Sequence, residues 1–134
     1  MLLVVTKDGQ NQILPVAYGI CKNECTDSWT WFFQKLHDCI GNMQELTIIS
    51  DRSPSIATSV ANIFPHAHHG ICGVHLYFNI VSRFGKSKTV KGIFWEACRA
   101  YTVDAFDAAM DVMKKTKEPV WEYLKSINPE TWSR

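Results

Sequence analysis

The sequence lacks a strong net charge. Lys and Arg total 14 against 13 Asp and Glu, a formal charge of +1, so composition alone does not mark a polyanion-binding protein. It also lacks an apolar run of the roughly 20 residues that a membrane-spanning helix needs, so no membrane partner is expected. The apolar start, Met1-Leu2-Leu3-Val4-Val5, is too short for a secretory leader and runs into Lys7-Asp8. Internal repeats and low-complexity segments are absent. So is a disulfide framework: the five cysteines, at 21, 25, 39, 72 and 98, are odd in number and irregular in spacing. Reduced thiols in a cytosolic or nuclear compartment fit that pattern better. What is present is ordinary for a globular protein, 46% hydrophobic and 20% charged, and too apolar for disorder. A chain of 134 residues is one domain's length, enough to bury roughly two-thirds of its unfolded surface.

The small charge is unevenly spread. Residues 1–82 hold four Lys/Arg and six Asp/Glu, a net of −2; residues 83–134 hold ten and seven, a net of +3. Arg83, Lys86, Lys88 and Lys91 stand in a stretch without an acid. A solvated loop and a phosphate-contacting strip both fit such a run.

The pattern along the chain predicts mixed α/β structure. Leu2–Thr6 is apolar and β-branched, and Asp8-Gly9 with Asn11 supplies turn chemistry. Gln12–Cys21 then alternates, with Leu14, Val16, Tyr18 and Ile20 on one face. Pro15 cannot donate a ladder hydrogen bond, which places this second strand at a sheet edge. A helix follows, capped by Thr26, Asp27 or Ser28, with Trp29, Phe32, Phe33, Leu36 and Ile40 as its apolar stripe and Gly41 as its end. Leu46–Ser50 reads as a short strand buried on both faces. It runs into Asp51-Arg52-Ser53-Pro54, where Ser53 caps and Pro54 opens a helix carrying Ile56, Val60 and Ile63. Phe64-Pro65 stops that helix. His66–Gly70 reads as a loop and Gly70–Cys72 as one more short strand. Four helices are expected beyond, with stripes Leu76/Ile80/Val81/Phe84, Val90/Ile93/Phe94/Ala97/Cys98/Tyr101, and Phe106/Ala109/Met110/Met113 after a Thr102 cap. Pro119 opens the fourth, which ends near Ile127. The first half is α/β and the second all-helical.

Asp51 is the most informative residue. It stands where a buried strand ends and a capped helix begins, the end of an α/β sheet at which ligands and metals are held. A carboxylate there suits Mg²⁺; capping the helix or pairing with Arg52 is the bland alternative. Two-metal phosphoryl-transfer sites need several converging carboxylates, and no spacing compels Asp8, Glu96 or Glu122 toward Asp51. Cys72-x-x-His75, with His66, His68 and His69 upstream, offers two zinc ligands. Cys21 and Cys25 complete a set only if the fold brings them close. A Cys/His nucleophile pair needs a third, orienting group. Of the tryptophans, Trp29 and Trp95 read as core residues, Trp31 needs a second contact, and Trp132 is the least constrained.

Several segments, in order, resemble the catalytic region of plant Mutator-like element transposases. They are Leu2-Leu3-Val4-Val5 with Asp8–Ala17, Asp27-Ser28-Trp29-Thr30-Trp31-Phe32, and Thr47-Ile48-Ile49-Ser50-Asp51-Arg52. They continue with Phe64-Pro65-His66-Ala67, Cys72-Gly73-Val74-His75-Leu76, Phe94-Trp95-Glu96-Ala97 with Tyr101-Thr102, and Trp132. The resemblance implies a ribonuclease-H-like fold in which three acids bind two divalent ions, Mg²⁺ or Mn²⁺, for DNA strand cleavage and transfer. On that resemblance Asp51 matches the second acid, and Cys72 and His75 match the family's Cys-x-x-His signature. Residues 1–75 match a partial ribonuclease-H-like core and residues 76–134 a helical insertion.

The first acid of that family lies on a strand upstream of Leu2–Thr6, and the third, a glutamate, lies downstream of the Trp132 segment. Neither position falls within this chain. The expectation is therefore a partial fold lacking its first strand, with weak metal binding and no strand transfer by this chain alone. DNA is the expected partner, contacted through Arg83, Lys86, Lys88 and Lys91; a homo-oligomer and a nuclear location are also expected. A domesticated, non-catalytic module used for DNA binding or self-association is the alternative, similar to plant transcription regulators derived from these transposases. A Cys/His enzyme or zinc protein is a third class.

Overall fold

The computed structural model describes residues 1–133; position 134, the end of the expected helical span, lies outside the described residues. The described chain is mixed α/β, with six α-helices and two two-stranded sheets, and its residues divide into two compact units.

The first unit holds Met1–Ile48 and Ser53–His69. Strands β1 (Leu2–Lys7) and β2 (Ile13–Gly19) form the expected antiparallel hairpin. Its turn is fixed by the Asp8 carboxylate, which accepts from the backbone N–H groups of Gln10 (2.8 Å) and Gln12 (2.9 Å). The expected single apolar face does not form. The register shifts between Val4 and Val5, which oppose Ala17 and Pro15, so Val16 is an extra residue on β2. Such a bulge reverses the alternation, and it falls beside the residue with no N–H to give the ladder. Leu14 and Tyr18 therefore lie on opposite faces, and all four residues of the expected stripe are exposed. The packed side of the hairpin presents Leu2 and Val4 opposite Gly19 and Ala17.

Helix α1 (Thr26–Ile40) buries Phe32, Phe33 and Leu36, as its stripe predicts. Its N-cap is Cys25, with no side-chain cap bond, rather than Thr26, Asp27 or Ser28. The helix starts a residue early, and Cys25 Sγ lies 3.5 Å from Ser28 Oγ. Gly41 ends it at φ +66°, a left-handed conformation suited to glycine, with its N–H donated to the His37 carbonyl. Trp31, half exposed, finds its second contact at Gly19. Helix α2 (Pro54–Ile63) follows Ser53 at the N-cap position and buries Ile56, Ser59 and Val60. Ser59 is fully buried, and its hydroxyl joins the two helices. It lies 2.9 Å from Thr30 Oγ1, 3.1 Å from the Thr26 carbonyl and 2.8 Å from the Ser55 carbonyl. Leu2, Phe32, Phe33, Leu36, Ile56, Val60 and Phe64 make this unit's core.

The second unit holds Ile49–Arg52 and the chain from Gly70 onward. Strands β3 (Thr47–Ser50) and β4 (His68–Ile71) pair, the first half of each lying in the first unit and the second half in the second. The His68 N–H donates to the Leu46 carbonyl (2.9 Å) and the Cys72 N–H to the Ser50 carbonyl (2.7 Å). The equal offset of these bonds makes the pair parallel, with α2 as its crossover. The strand thus begins at His68, inside the expected His66–Gly70 loop. Long-range pairing to β3 outweighs the polar character of His68 and His69, and Gly70 is buried against the Ile49 side chain and the Thr131 carbonyl.

Helices α3 (Gly73–Phe84), α4 (Lys88–Cys98), α5 (Val103–Thr116) and α6 (Glu118–Lys125) follow. Gly85, at φ +83°, separates α3 from α4. The Ser87 hydroxyl accepts from Val90 N–H at the start of α4, and Thr102 accepts from Ala105 N–H at the start of α5. Helix α4 ends at Cys98, so Tyr101 leaves the expected stripe and is exposed. The core is built from Leu76, Tyr77, Ile80, Val90, Ile93, Phe94, Met110, Met113, Val120, Leu124 and Trp132, among others. Trp132, expected to be the least constrained, is only 6% exposed. A single 3₁₀ turn (Pro129–Thr131) delivers its indole onto Phe94, stacked at 5.8 Å with an 8° interplanar angle.

Candidate functional site

Asp51 is the residue immediately after β3, in the turn that leads to α2, and it is exposed. This is the carboxyl end of a parallel strand, where strand and helix diverge and leave side chains open to a ligand. The Cys72 N–H bond to the Ser50 carbonyl ties the end of β4 to the same place. Asp51 and Cys72 thus follow directly on paired strand ends. Cys72 is the N-cap residue of α3, and it is half-buried. His75, in the first turn of α3, is exposed, with its ring 6.5 Å from Phe78.

Among the described residues, no three of His, Cys, Asp and Glu converge on a possible metal position. The zinc set weighed from Cys21, Cys25, Cys72, His75 and the 66–69 histidines is therefore not assembled. Partial burial, and then the neighbouring charge of His68, hold the His69 imidazole below its ordinary pKa. Burial pushes the Cys98 thiol up to about 12, the behaviour of a packing cysteine. Cys25 is fully exposed, and the Ser28 hydroxyl and N–H draw its thiol pKa down.

The basic residues lie in the second unit. Arg83 is in the last turn of α3, Lys86 in the connection after it, and Lys88 and Lys91 on α4. All four are exposed. Lys91 lies 5.9 Å from the Tyr77 ring and Arg83 lies 4.8 Å from the Tyr123 ring. The Lys117 ammonium donates to the Phe84 carbonyl at the C-terminus of α3.

One constellation escapes the sequence. Arg52, considered there only as a partner for Asp51, extends its guanidinium to Tyr123 on α6, and Nη1 donates to the phenol oxygen at 2.7 Å. No periodicity relates positions 52 and 123. Among the described residues, no helix is long and apolar enough to cross a membrane.

Comparison with known proteins bears on these positions. The transposase for insertion sequence element IS1201 of Lactobacillus helveticus is 27% identical over 132 residues, 94% of this chain. The chain spans about a third (35%) of that relative's length. No solved structure matches the chain. The family described as the MULE transposase domain matches residues 1–79. That match takes in the hairpin, the β3–α2–β4 unit, Asp51, Cys72 and His75, more than half of the chain. The chain therefore belongs to the MULE transposase domain family.

Proposed function

We propose that the chain is part of the catalytic region of a DNA transposase, with Asp51 as one of its metal-binding carboxylates. The observation that carries this is the position of Asp51: an exposed carboxylate at the carboxyl end of a parallel strand, inside the stretch the family match covers. A hard oxygen donor there is suited to Mg²⁺ or Mn²⁺. The donor set of the described residues does not by itself fit a two-metal site, because no second and third acid join Asp51. Asp51 is accordingly assigned the part of one ligand among several, and this chain alone is expected to bind the ions weakly and to leave DNA uncut.

The fold proposed is ribonuclease-H-like, with antiparallel β1–β2 and parallel β3–β4 among its strands and the helices beyond residue 76 as an insertion. DNA is the proposed partner, with Arg83, Lys86, Lys88 and Lys91 contributing phosphate contacts. Cys72 and His75 are proposed to hold the end of β4 and the start of α3 beside Asp51.

The test is strand cleavage by a complete transposase carrying this segment. Asp51→Asn should abolish Mg²⁺-dependent cleavage and leave DNA affinity intact. Cleavage at the unchanged rate would remove Asp51 from the chemistry.

A further inference from the structure

Three separate segments of the second unit meet at one phenol. Arg52 comes from the turn after β3, Arg83 from the last turn of α3 and Tyr123 from α6. Arg52 donates to the Tyr123 hydroxyl at 2.7 Å, with its guanidinium carbon 5.8 Å from the ring centroid. The Arg83 guanidinium carbon lies 4.8 Å from the same centroid. The ring of Phe84 stands 5.8 Å away and helps to hold the phenol in place. Tyr123 is half-buried and both arginines are exposed.

Two cations on one ring repel each other, and the ring quadrupole offsets only part of that repulsion. Carboxylates are the usual remedy, yet among the described residues the ion pair formed is Lys35–Asp38, which involves neither arginine. Among the described residues, neither guanidinium forms an ion pair with a carboxylate. The arrangement is complementary to an anion. Each guanidinium has five N–H donors in a planar fork, and Arg52 spends one on Tyr123. The phenol accepts that bond, and its own proton remains to be donated. Two forks and a hydroxyl match the several oxygens of a phosphate. The positive charge also continues along the chain through exposed Lys86 and Lys88. An extended polyanion uses such a continuation; a single small anion does not.

We propose that Arg52, Tyr123 and Arg83 form a phosphodiester-binding site that holds a DNA strand at the residue next to Asp51, an assignment that rests on the transposase proposal above. The site would hold the strand backbone at the turn after β3, the same turn that carries Asp51. Arg52 and Arg83 would carry charge to it, and Tyr123 would position Arg52 and add a neutral donor.

The experiment is fluorescence anisotropy of this chain with a labelled 20-base-pair duplex of mixed sequence, and with one of its single strands, across a salt series. Arg52→Gln, Arg83→Gln and Tyr123→Phe are compared with the unsubstituted chain, and melting temperatures are taken in parallel. Each arginine variant should weaken binding about 3- to 10-fold. Each should also reduce the slope of log affinity against log salt by about 0.7–0.9. Tyr123→Phe keeps the packed ring and should weaken binding by about 2- to 5-fold at unchanged slope. DNA binding by the unsubstituted chain with affinity and slope unmoved in all three variants would overturn this site and leave the transposase proposal standing. Lowered melting temperatures with unmoved DNA affinity would show a structural brace and overturn it equally. If, in NMR spectra of the isotope-labelled chain, inorganic phosphate at matched ionic strength shifts the Tyr123 signals while DNA does not, the site takes small anions and the DNA assignment fails. No DNA binding at any salt would overturn this site and the phosphate contacts assigned to Lys86 and Lys88, while cleavage by a complete transposase decides the role of Asp51.

Discussion

Gly19→Ala sets two effects of opposite sign against each other. Gly19 ends β2 outside the left-handed region of backbone space, so alanine can adopt its conformation. On backbone entropy alone, replacing a strand glycine by alanine stabilises by about 0.5–1 kcal/mol. The structure predicts the reverse. A Cβ at this position would lie 2.9 Å from Phe32 Cδ2, 3.2 Å from Phe32 Cε2 and 3.4 Å from Trp31 Cζ3. Phe32 is buried, with Phe33 and Trp29 each 6.1 Å from its ring, so it cannot swing clear cheaply. Overpacking of this kind costs about 1–3 kcal/mol. The entropy gain offsets part of that, leaving a net loss of roughly 0.5–2 kcal/mol. Urea unfolding followed by circular dichroism measures it. Phe32→Leu, which removes the ring edge, should shrink the alanine penalty in a double-mutant cycle. A Gly19→Ala chain more stable than the parent would refute the close approach on which the packing of the hairpin depends.

Gly92, in the middle of α4 with open space where its Cβ would be, is the matching control, and Gly92→Ala should stabilise by about 0.5–1 kcal/mol in the same assay. In alkylation mapped by mass spectrometry near pH 8, Cys25 should react well before Cys98, because Ser28 favours the thiolate of the first and burial disfavours that of the second. The raised Cys98 value also gives stability a pH dependence. The native thiol keeps its proton above the ordinary 9.0, so the contribution of this group is full below about pH 9 and is lost as pH rises toward about 12; Cys98→Ala should flatten that limb. Lys86→Ala with Lys88→Ala should weaken DNA binding evenly across sequences and lower its salt slope by about 1.4–1.8, and a salt-indifferent affinity would contradict the phosphate strip.

Much of the chain is legible along its length because helices α1, α2 and α3 carry clean stripes and end at Gly41, Phe64-Pro65 and Gly85. The stripe of Phe32, Phe33 and Leu36 needed only the period of the helix. The run before Ser53-Pro54 places Asp51 at a strand end, but that strand is not buried on both faces as expected, since Thr47 and Ile49 are exposed. Features that depend on distant pairing are hidden. Strand β4 contains two histidines and shows itself only through its ladder to β3. The bulge at Val16 breaks an alternation that the residues themselves display without interruption. Trp132 is held by a stacking partner 38 positions earlier, Phe94. Ser59 looks like a surface residue of α2 until Thr30 and the Thr26 carbonyl of α1 are brought to it. The candidate site divides in the same way. Asp51, Cys72 and His75 are local motifs, whereas Arg52 and Tyr123 are joined by tertiary structure alone.

The claim that Asp51 is a metal-binding carboxylate is tested most directly by titrating the isotope-labelled chain with Mn²⁺ and following paramagnetic broadening of its backbone amides. Broadening should be centred on Asp51 and should reach Cys72, whose N–H is bonded to the Ser50 carbonyl next to it. It should build up only at high Mn²⁺, as weak binding by this chain requires, and should disappear in Asp51→Asn. Sharp signals around Asp51 while other carboxylates broaden, or broadening that Asp51→Asn leaves in place, would contradict the assignment.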